Sequence, residues 1–218
     1  MSNYAFPTTI VDNFFDDPRL IREYALGLEY TPDIHYGWSG TRSKSLDDIN
    51  KPLFGQIIHR FLSLSYDLES TSIQWRAKAH FQKIDNICNH AWVHTDPDLV
   101  TGIIYLNDPS IPELGTSIYE SNIANANLLN LDKRSELYQY PERSKELDHF
   151  RKENNEQFIE SIVVKNKFNR LIAFDSHLYH SAEGIDDDDT HDRLTLVFFI
   201  EKLNVDEYPL QRLRRRSI

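Results

Sequence analysis

Residues 91–106 read Ala91-Trp92-Val93-His94-Thr95-Asp96-Pro97-Asp98-Leu99-Val100-Thr101-Gly102-Ile103-Ile104-Tyr105-Leu106, and the rest of the chain is organised around them. Ala91 to His94 reads as a short strand that Pro97 ends, because proline has no N–H to give a ladder. Val100 to Leu106 is a near-continuous apolar run and reads as a strand buried on both faces. Side chains alternate along an extended backbone, so His94 and Asp96 point to the same side. An imidazole and a carboxylate side by side are two of the three ligands of a two-histidine-one-carboxylate metal site. His-x-Asp alone is common by chance. Its weight depends on a third ligand and on a barrel to hold the set.

Strand texture surrounds this stretch. Upstream, Thr8 to Phe15 is rich in β-branched and aromatic residues, and Ile73 to Lys83 alternates. Downstream, Gly115 to Glu120, Phe158 to Val164, Leu171 to Asp175 and Arg193 to Lys202 (RLTLVFFIEK) read as strands, with His180 on a short segment between the last two. Two helices precede most of them. Asp17 and Pro18 open one that runs to about Tyr30, with Leu20, Ile21, Tyr24 and Leu28 on one stripe. Asn50 and Pro52 open the other, where Phe54, Ile57, Ile58, Phe61, Leu62 and Leu64 recur at helical spacing. Gly37 to Ser45 and Asp85 to His90 read as loops. From about Asn122 to Gln157 the texture is polar and charged, a helical or mobile insertion. Many short strands with flanking helices predict a mostly β antiparallel double-sheet barrel.

The chain has 218 residues, 40% hydrophobic and 12% aromatic, which suits one domain with a sizeable core. That domain is expected to span 1–218: a helical lead-in over 1–70, a barrel core over 71–202 with the insertion at about 122–157, and a basic tail over 203–218. The net charge of −10 argues against a nucleic-acid binder, which needs a basic face. The run Arg212, Arg214, Arg215 and Arg216 reads as a solvated terminus, and Asp186 to Asp189 as a solvated loop. A single cysteine, Cys88, allows no internal disulfide and fits a reducing, cytoplasmic setting. The first residues lack the basic-then-apolar order of a signal peptide, and no apolar stretch approaches about 18 residues, so no membrane span is expected.

The third ligand must come from far along the chain. His149 lies in the charged insertion, and His191 in the acidic loop. His177 and His180 are three apart and cannot both face one way on a strand. His180 is favoured, because Ser181, Ala182 and Gly184 after it let a cofactor come close. It lies 13 residues before Arg193, a distance that fits two antiparallel strands joined by the acidic loop. Arg193 opens an apolar strand, and an arginine turned into a barrel calls for an anion; its fork matches a carboxylate. Thr195 shares its face, and Tyr105 could add another hydroxyl. Arg193 pairing with a structural aspartate, and Tyr105 as plain core, are the bland alternatives.

Together these pieces resemble the Fe(II)/2-oxoglutarate-dependent dioxygenases, on the side of the prolyl-4-hydroxylase-like and phage-type members. The resemblance covers about Thr71 to Lys202. It rests on His94-Thr95-Asp96, Gly102 to Asn107, Gly115-Thr116, Asn169 to Asp175 leading to His180-Ser181-Ala182, and Arg193-Leu194-Thr195. The lead-in IVDNFF followed by DDPRLI is also similar. Two departures stand out: Gly115 is alone where such hydroxylases often carry a glycine pair, and the gap from Asp96 to Tyr105 is short.

The resemblance implies a double-stranded β-helix, a jelly-roll, cupin-like barrel. It implies that His94, Asp96 and His180 hold Fe(II) and are the catalytic set. The cosubstrate 2-oxoglutarate would pair its distal carboxylate with Arg193, helped by Thr195 and Tyr105. O₂ is the co-reactant, ascorbate an optional reductant, and 2-oxoglutarate leaves as succinate and CO₂. Related halogenases lack the carboxylate, so Asp96 argues for hydroxylation. A cupin-like metal enzyme that does not use 2-oxoglutarate, and a non-catalytic jelly-roll binding protein, are the competing readings; neither needs the Arg193–Thr195 carboxylate clamp. The substrate, a peptidyl residue such as proline or a small molecule, would be read by Gly37 to Ser45, Asp85 to Trp92 and the insertion, with Trp38, Arg42 and Trp92 as entrance candidates.

Overall fold

A computed structural model describes residues 6–32, 40–84, 91–107, 115–122, 128–140, 143–182 and 193–206. In chain order the lead-in carries β1 (Thr9–Val11), α1 (Pro18–Leu26), β2 (Thr31–Pro32), β3 (Thr41–Arg42), α2 (Leu46–Ile49) and α3 (Lys51–Ser63). The remainder carries β4 (Ile73–Ile84), β5 (Val100–Tyr105), β6 (Thr116–Ser121), α4 (Leu131–Gln139), α5 (Ser144–Asn155), β7 (Phe158–Val164), β8 (Leu171–Asp175), β9 (Tyr179–Ala182) and β10 (Arg193–Val205). The strands form two antiparallel sheets, a larger one in the order β1-β8-β5-β10-β4-β3-β2 and a smaller one in the order β7-β6-β9. This is the antiparallel double-sheet architecture expected from the strand pattern, and the jelly-roll that the resemblance implied.

β10 is the spine of the larger sheet, paired with β4 on one side and β5 on the other. Its first eight residues are all buried, which the period of two explains. Leu194, Leu196, Phe198 and Ile200 pack toward the helices, where Ile57, Ile58, Phe61 and Leu62 of α3 meet them. Arg193, Thr195, Val197 and Phe199 face the other way, into the space between the sheets. β5 repeats the scheme: Val100 and Ile104 join the helix-side core, while Thr101 and Ile103 line the interior. Between them Gly102 lies directly under Phe198, whose ring would sit 2.1 Å from any added Cβ. A second core of Tyr105, Ile118, Val164, Ile172 and Phe174 closes one end of the inter-sheet space. What remains between the sheets is a cavity.

Several expectations need correction. The first strand covers only Thr9–Val11, because Asn13 turns the chain at φ 56°. The first helix stops at Leu26, capped by the Gly27 N–H, rather than at Tyr30. Thr41–Arg42, inside the expected loop, pairs with β4 through Lys83 and Gln82. Ala91 to His94 is not a strand: the segment touches the smaller sheet through one bridge, His94 to His180. The insertion, by contrast, is helical as one of its two readings had it, and holds α4 and α5. His180 and Arg193 do not lie on neighbouring strands, since β9 pairs with β6 in the smaller sheet while β10 belongs to the larger. Cys88, Trp38, Gly184, Asp186 to Asp189, His191 and Arg212 to Arg216 lie outside the described residues. Among the described residues no helix is long and apolar enough to cross a membrane.

Candidate metal centre

His94 and His180 are brought together by backbone. The His94 N–H donates to the His180 carbonyl at 3.0 Å and the His180 N–H returns the bond at 2.9 Å. Their rings lie 4.3 Å apart, each only 4% exposed. Asp96 is fixed separately, its N–H donating to the Ser176 carbonyl at 2.8 Å. One oxygen then stands 3.8 Å from His94 Nε2 and the other 3.4 Å from His180 Nε2. The three candidate donor atoms lie within 4.8 Å of one another. His177, by contrast, is exposed and paired with Asp175, and His149 is exposed on α5.

The protonation pattern suits a cation. His94 Nδ1 bonds the Trp92 carbonyl at 2.8 Å and His180 Nδ1 bonds the Leu178 carbonyl at 2.8 Å. A carbonyl only accepts, so each Nδ1 carries the proton and each Nε2 is left as the ligand nitrogen. Burial holds His94 well below the ordinary histidine value, with the charges of Arg134 and His180 adding to it. Burial pushes the Asp96 carboxyl up. The hydrogen bond and charge that His180 offers when its Nε2 is also protonated, the charge of a protonated His94 and the Thr101 hydroxyl outweigh it, and Asp96 ends well below the usual carboxylate range; a bound cation takes the place of those ring protons. A neutral imidazole and a carboxylate are the ligating forms.

The centre opens on a cavity between the two sheets. The smaller sheet contributes Thr116, His180, Ser181 and Ala182; the larger contributes Gln82, Thr101, Ile103, Arg193, Thr195, Val197 and Phe199. His180 and Arg193 therefore face each other across the cavity from opposite sheets. Arg193 is 2% exposed; its Nη2 donates to the Gly115 carbonyl at 3.2 Å and the Thr116 hydroxyl at 3.3 Å. Gly115 itself runs close against the end of β7, where an added Cβ would meet the Val164 carbonyl at 2.3 Å. The Thr195 hydroxyl is buried and has no hydrogen-bond partner among the described residues. Beside a buried guanidinium, an unsatisfied hydroxyl marks a place for an anion. Tyr105 stands one step back: its hydroxyl donates to Thr116 at 2.8 Å.

Thr101 is a functional residue that the motif reading passed over. Its hydroxyl donates to Asp96 at 2.8 Å and accepts from the Ser176 hydroxyl at 2.8 Å, because its single proton is spent on the carboxylate. The signal was a lone threonine in an apolar run. Gln82 is a second: buried, on the cavity wall, and accepting from Arg42 Nε at 3.4 Å. Arg42 lines the cavity as expected of an entrance residue, with its guanidinium 5.7 Å from the Phe199 ring. Trp92 does not: it is fully buried against Leu137 and Leu147 of α4 and α5.

The fold and the convergent histidines and carboxylate define a jelly-roll of the kind found in Fe/2-oxoglutarate oxygenases. HygX from Streptomyces hygroscopicus, solved with nickel and 2-oxoglutarate bound, superposes with a TM-score of 0.55 at 13% identity, covering 89% of this chain and 82% of that one. The same protein with nickel, 2-oxoglutarate and hygromycin B gives 0.53 at 13% identity over 89% and 82%. SnoN, a non-heme α-ketoglutarate-dependent epimerase from nogalamycin biosynthesis, gives 0.51 at 12% identity over 90% and 77%. At these identities the likeness is one of fold. By sequence the chain belongs to the family of unknown function DUF6445, whose model matches residues 2–200. No curated protein matches it.

Proposed function

We propose that this protein is an Fe(II)- and 2-oxoglutarate-dependent oxygenase, most simply a hydroxylase, acting on a small molecule or a peptidyl residue. One observation carries the reading: His94, Asp96 and His180 converge on the same cavity that Arg193 and Thr195 enter from the opposite sheet. The donor set of two imidazoles and one carboxylate is the facial set of non-haem iron oxygenases. Bound Fe(II) with 2-oxoglutarate supplies the oxidation of a substrate C–H bond by O₂, with succinate and CO₂ as co-products.

The chain's own residues do the rest. His94 and His180 present Nε2 because their Nδ1 protons are held by backbone carbonyls. Asp96 presents a charged carboxylate held by Thr101. Arg193 is aimed by Gly115 and Thr116, and its fork suits a carboxylate in a bidentate pair. Thr195 has a hydroxyl to add to that pair. Ile103, Val197 and Phe199 make the intervening wall apolar, which excludes water and strengthens the charge pairing. Asp96 favours hydroxylation over halogenation.

The test is succinate formation from 2-oxoglutarate, with Fe(II), in air, over a panel of amino acids, peptides and small molecules, with His180→Ala as the blank. Metal- and His180-dependent succinate supports the reading. Turnover of a substrate that continues without 2-oxoglutarate would assign a metal enzyme of another kind.

A further inference from the structure

The segment before His94 is held in an unusual way. Residues 91–93 belong to no helix or strand and pair with no strand among the described residues, so their backbone groups need other partners. They find them on the end of α5. The Val93 N–H donates to Asn155 Oδ1 at 3.0 Å, and the Val93 carbonyl accepts from Asn154 Nδ2 at 3.0 Å. The Ala91 carbonyl accepts from Asn155 Nδ2 at 3.1 Å. Asn154 is fully buried, and its own Oδ1 accepts from the Leu129 N–H at 2.9 Å, which ties in the chain that leads to α4. A side-chain amide carries both a donor and an acceptor, so it imitates a neighbouring strand. A lysine or glutamate at either place could satisfy only one kind of backbone group.

Packing supports the same contact. Trp92 is enclosed by Leu137 of α4 and Leu147 of α5, with Phe150 packed against them. The Trp92 carbonyl is the group that fixes His94 Nδ1. A continuous path therefore runs from the helix pair, through the backbone of 91–93, to the ring of a metal ligand.

We propose that the α4–α5 pair is an integral part of the metal centre, and that Asn154 and Asn155 are positioning residues for His94. The proposal rests on the metal reading above. It assigns a role to the insertion, the part of the chain from about 122 to 157 that looks least like a barrel.

Mn(II) titration of the metal-free protein tests it. Partners that orient ligands typically change metal affinity roughly 10- to 100-fold. Asn154→Ala and Asn155→Ala are expected to weaken Mn(II) binding by about that factor. Asn155→Asp keeps the acceptor for Val93 and loses the donor to Ala91, so it falls between wild type and Asn155→Ala. Lys152→Ala, on the exposed side of the same helix, binds as wild type does. A merely structural role would lower the melting temperature and leave the Kd of folded protein unchanged. Folded alanine variants with wild-type Kd therefore overturn the proposal; if neither folds, Asn155→Asp decides by the same criterion. Wild-type protein that binds no Mn(II) overturns the metal reading itself, and the positioning role of Asn154 and Asn155 with it.

Discussion

Thr101→Val removes one hydroxyl from behind Asp96 and keeps the shape of the side chain. Thr101 is 2% exposed, and its hydroxyl donates to the Asp96 carboxylate at 2.8 Å. A hydrogen bond to a charged acceptor contributes about 1.5–3 kcal/mol. The substitution also leaves the Ser176 hydroxyl without the oxygen it donates to. Two losses follow. Metal-free protein is destabilised by about 1.5–3 kcal/mol, or roughly 3–12 °C in melting temperature for a chain of this length. The Asp96 carboxylate, no longer held from behind, also swings more freely. If about 1.4 kcal/mol of the bond is expressed in metal binding, Mn(II) affinity falls about tenfold. Calorimetric titration of Mn(II) and a thermal melt read the two separately. Thr101→Ser, which keeps the hydroxyl, restores most of the affinity. The reasoning fails if Thr101→Val binds Mn(II) as tightly as wild type, or if Thr101→Ser is as impaired as the valine.

Arg193→Met is expected to weaken 2-oxoglutarate binding roughly 10- to 100-fold and leave Mn(II) affinity unchanged, checked by titrating each ligand in turn. Gly102→Ala forces a methyl group into the Phe198 ring, which itself packs 4.9 Å from Phe61. The overpacking costs about 1–3 kcal/mol, read as a lower urea midpoint. Asp12 joins the end of β1 to the turn before β8 through Arg170 at 2.6 Å and Lys167 at 2.7 Å. The Arg170 hydrogen bond, then that of Lys167, hold its carboxyl well below the usual range. A depressed folded value stabilises above the unfolded carboxylate value near pH 4 and loses that contribution as pH falls below it. Asp12→Asn is therefore expected to cost about 0.5–1 kcal/mol at pH 7, screened because the site is partly exposed, and progressively less as pH falls below about 4 toward the depressed folded value.

Strong local patterns carried the parts of the fold that were legible. β7 and β8 fall where period and composition put them, and β4 and β10 start at the expected residues. His94, Asp96 and His180 were legible because a two-residue spacing and a run of small residues are local features. Sheet membership was not. Whether β9 pairs with β10 or with β6 depends on contacts between distant strands, and nothing in the short stretch Tyr179–Ala182 records it. The segment 91–93 looked like a strand because it is short and apolar and ends at a proline; its partners are side chains 61–64 residues away, not a ladder. Asn154 and Asn155 were hidden for the same reason. In a stretch dense with Glu, Lys and Arg, two asparagines read as solvent-facing, and only the structure shows Asn154 fully buried.

Anaerobic addition of Fe(II) and then 2-oxoglutarate, followed by visible absorption, reaches the central claim without any need for the substrate. A keto acid that chelates Fe(II) in this centre gives a charge-transfer band. That band is expected to saturate at one 2-oxoglutarate per chain, to require more 2-oxoglutarate in Arg193→Met, and to vanish in Asp96→Ala. No band in wild-type protein, or an undiminished band in Asp96→Ala, would contradict the assignment of His94, Asp96 and His180 as the iron-binding face.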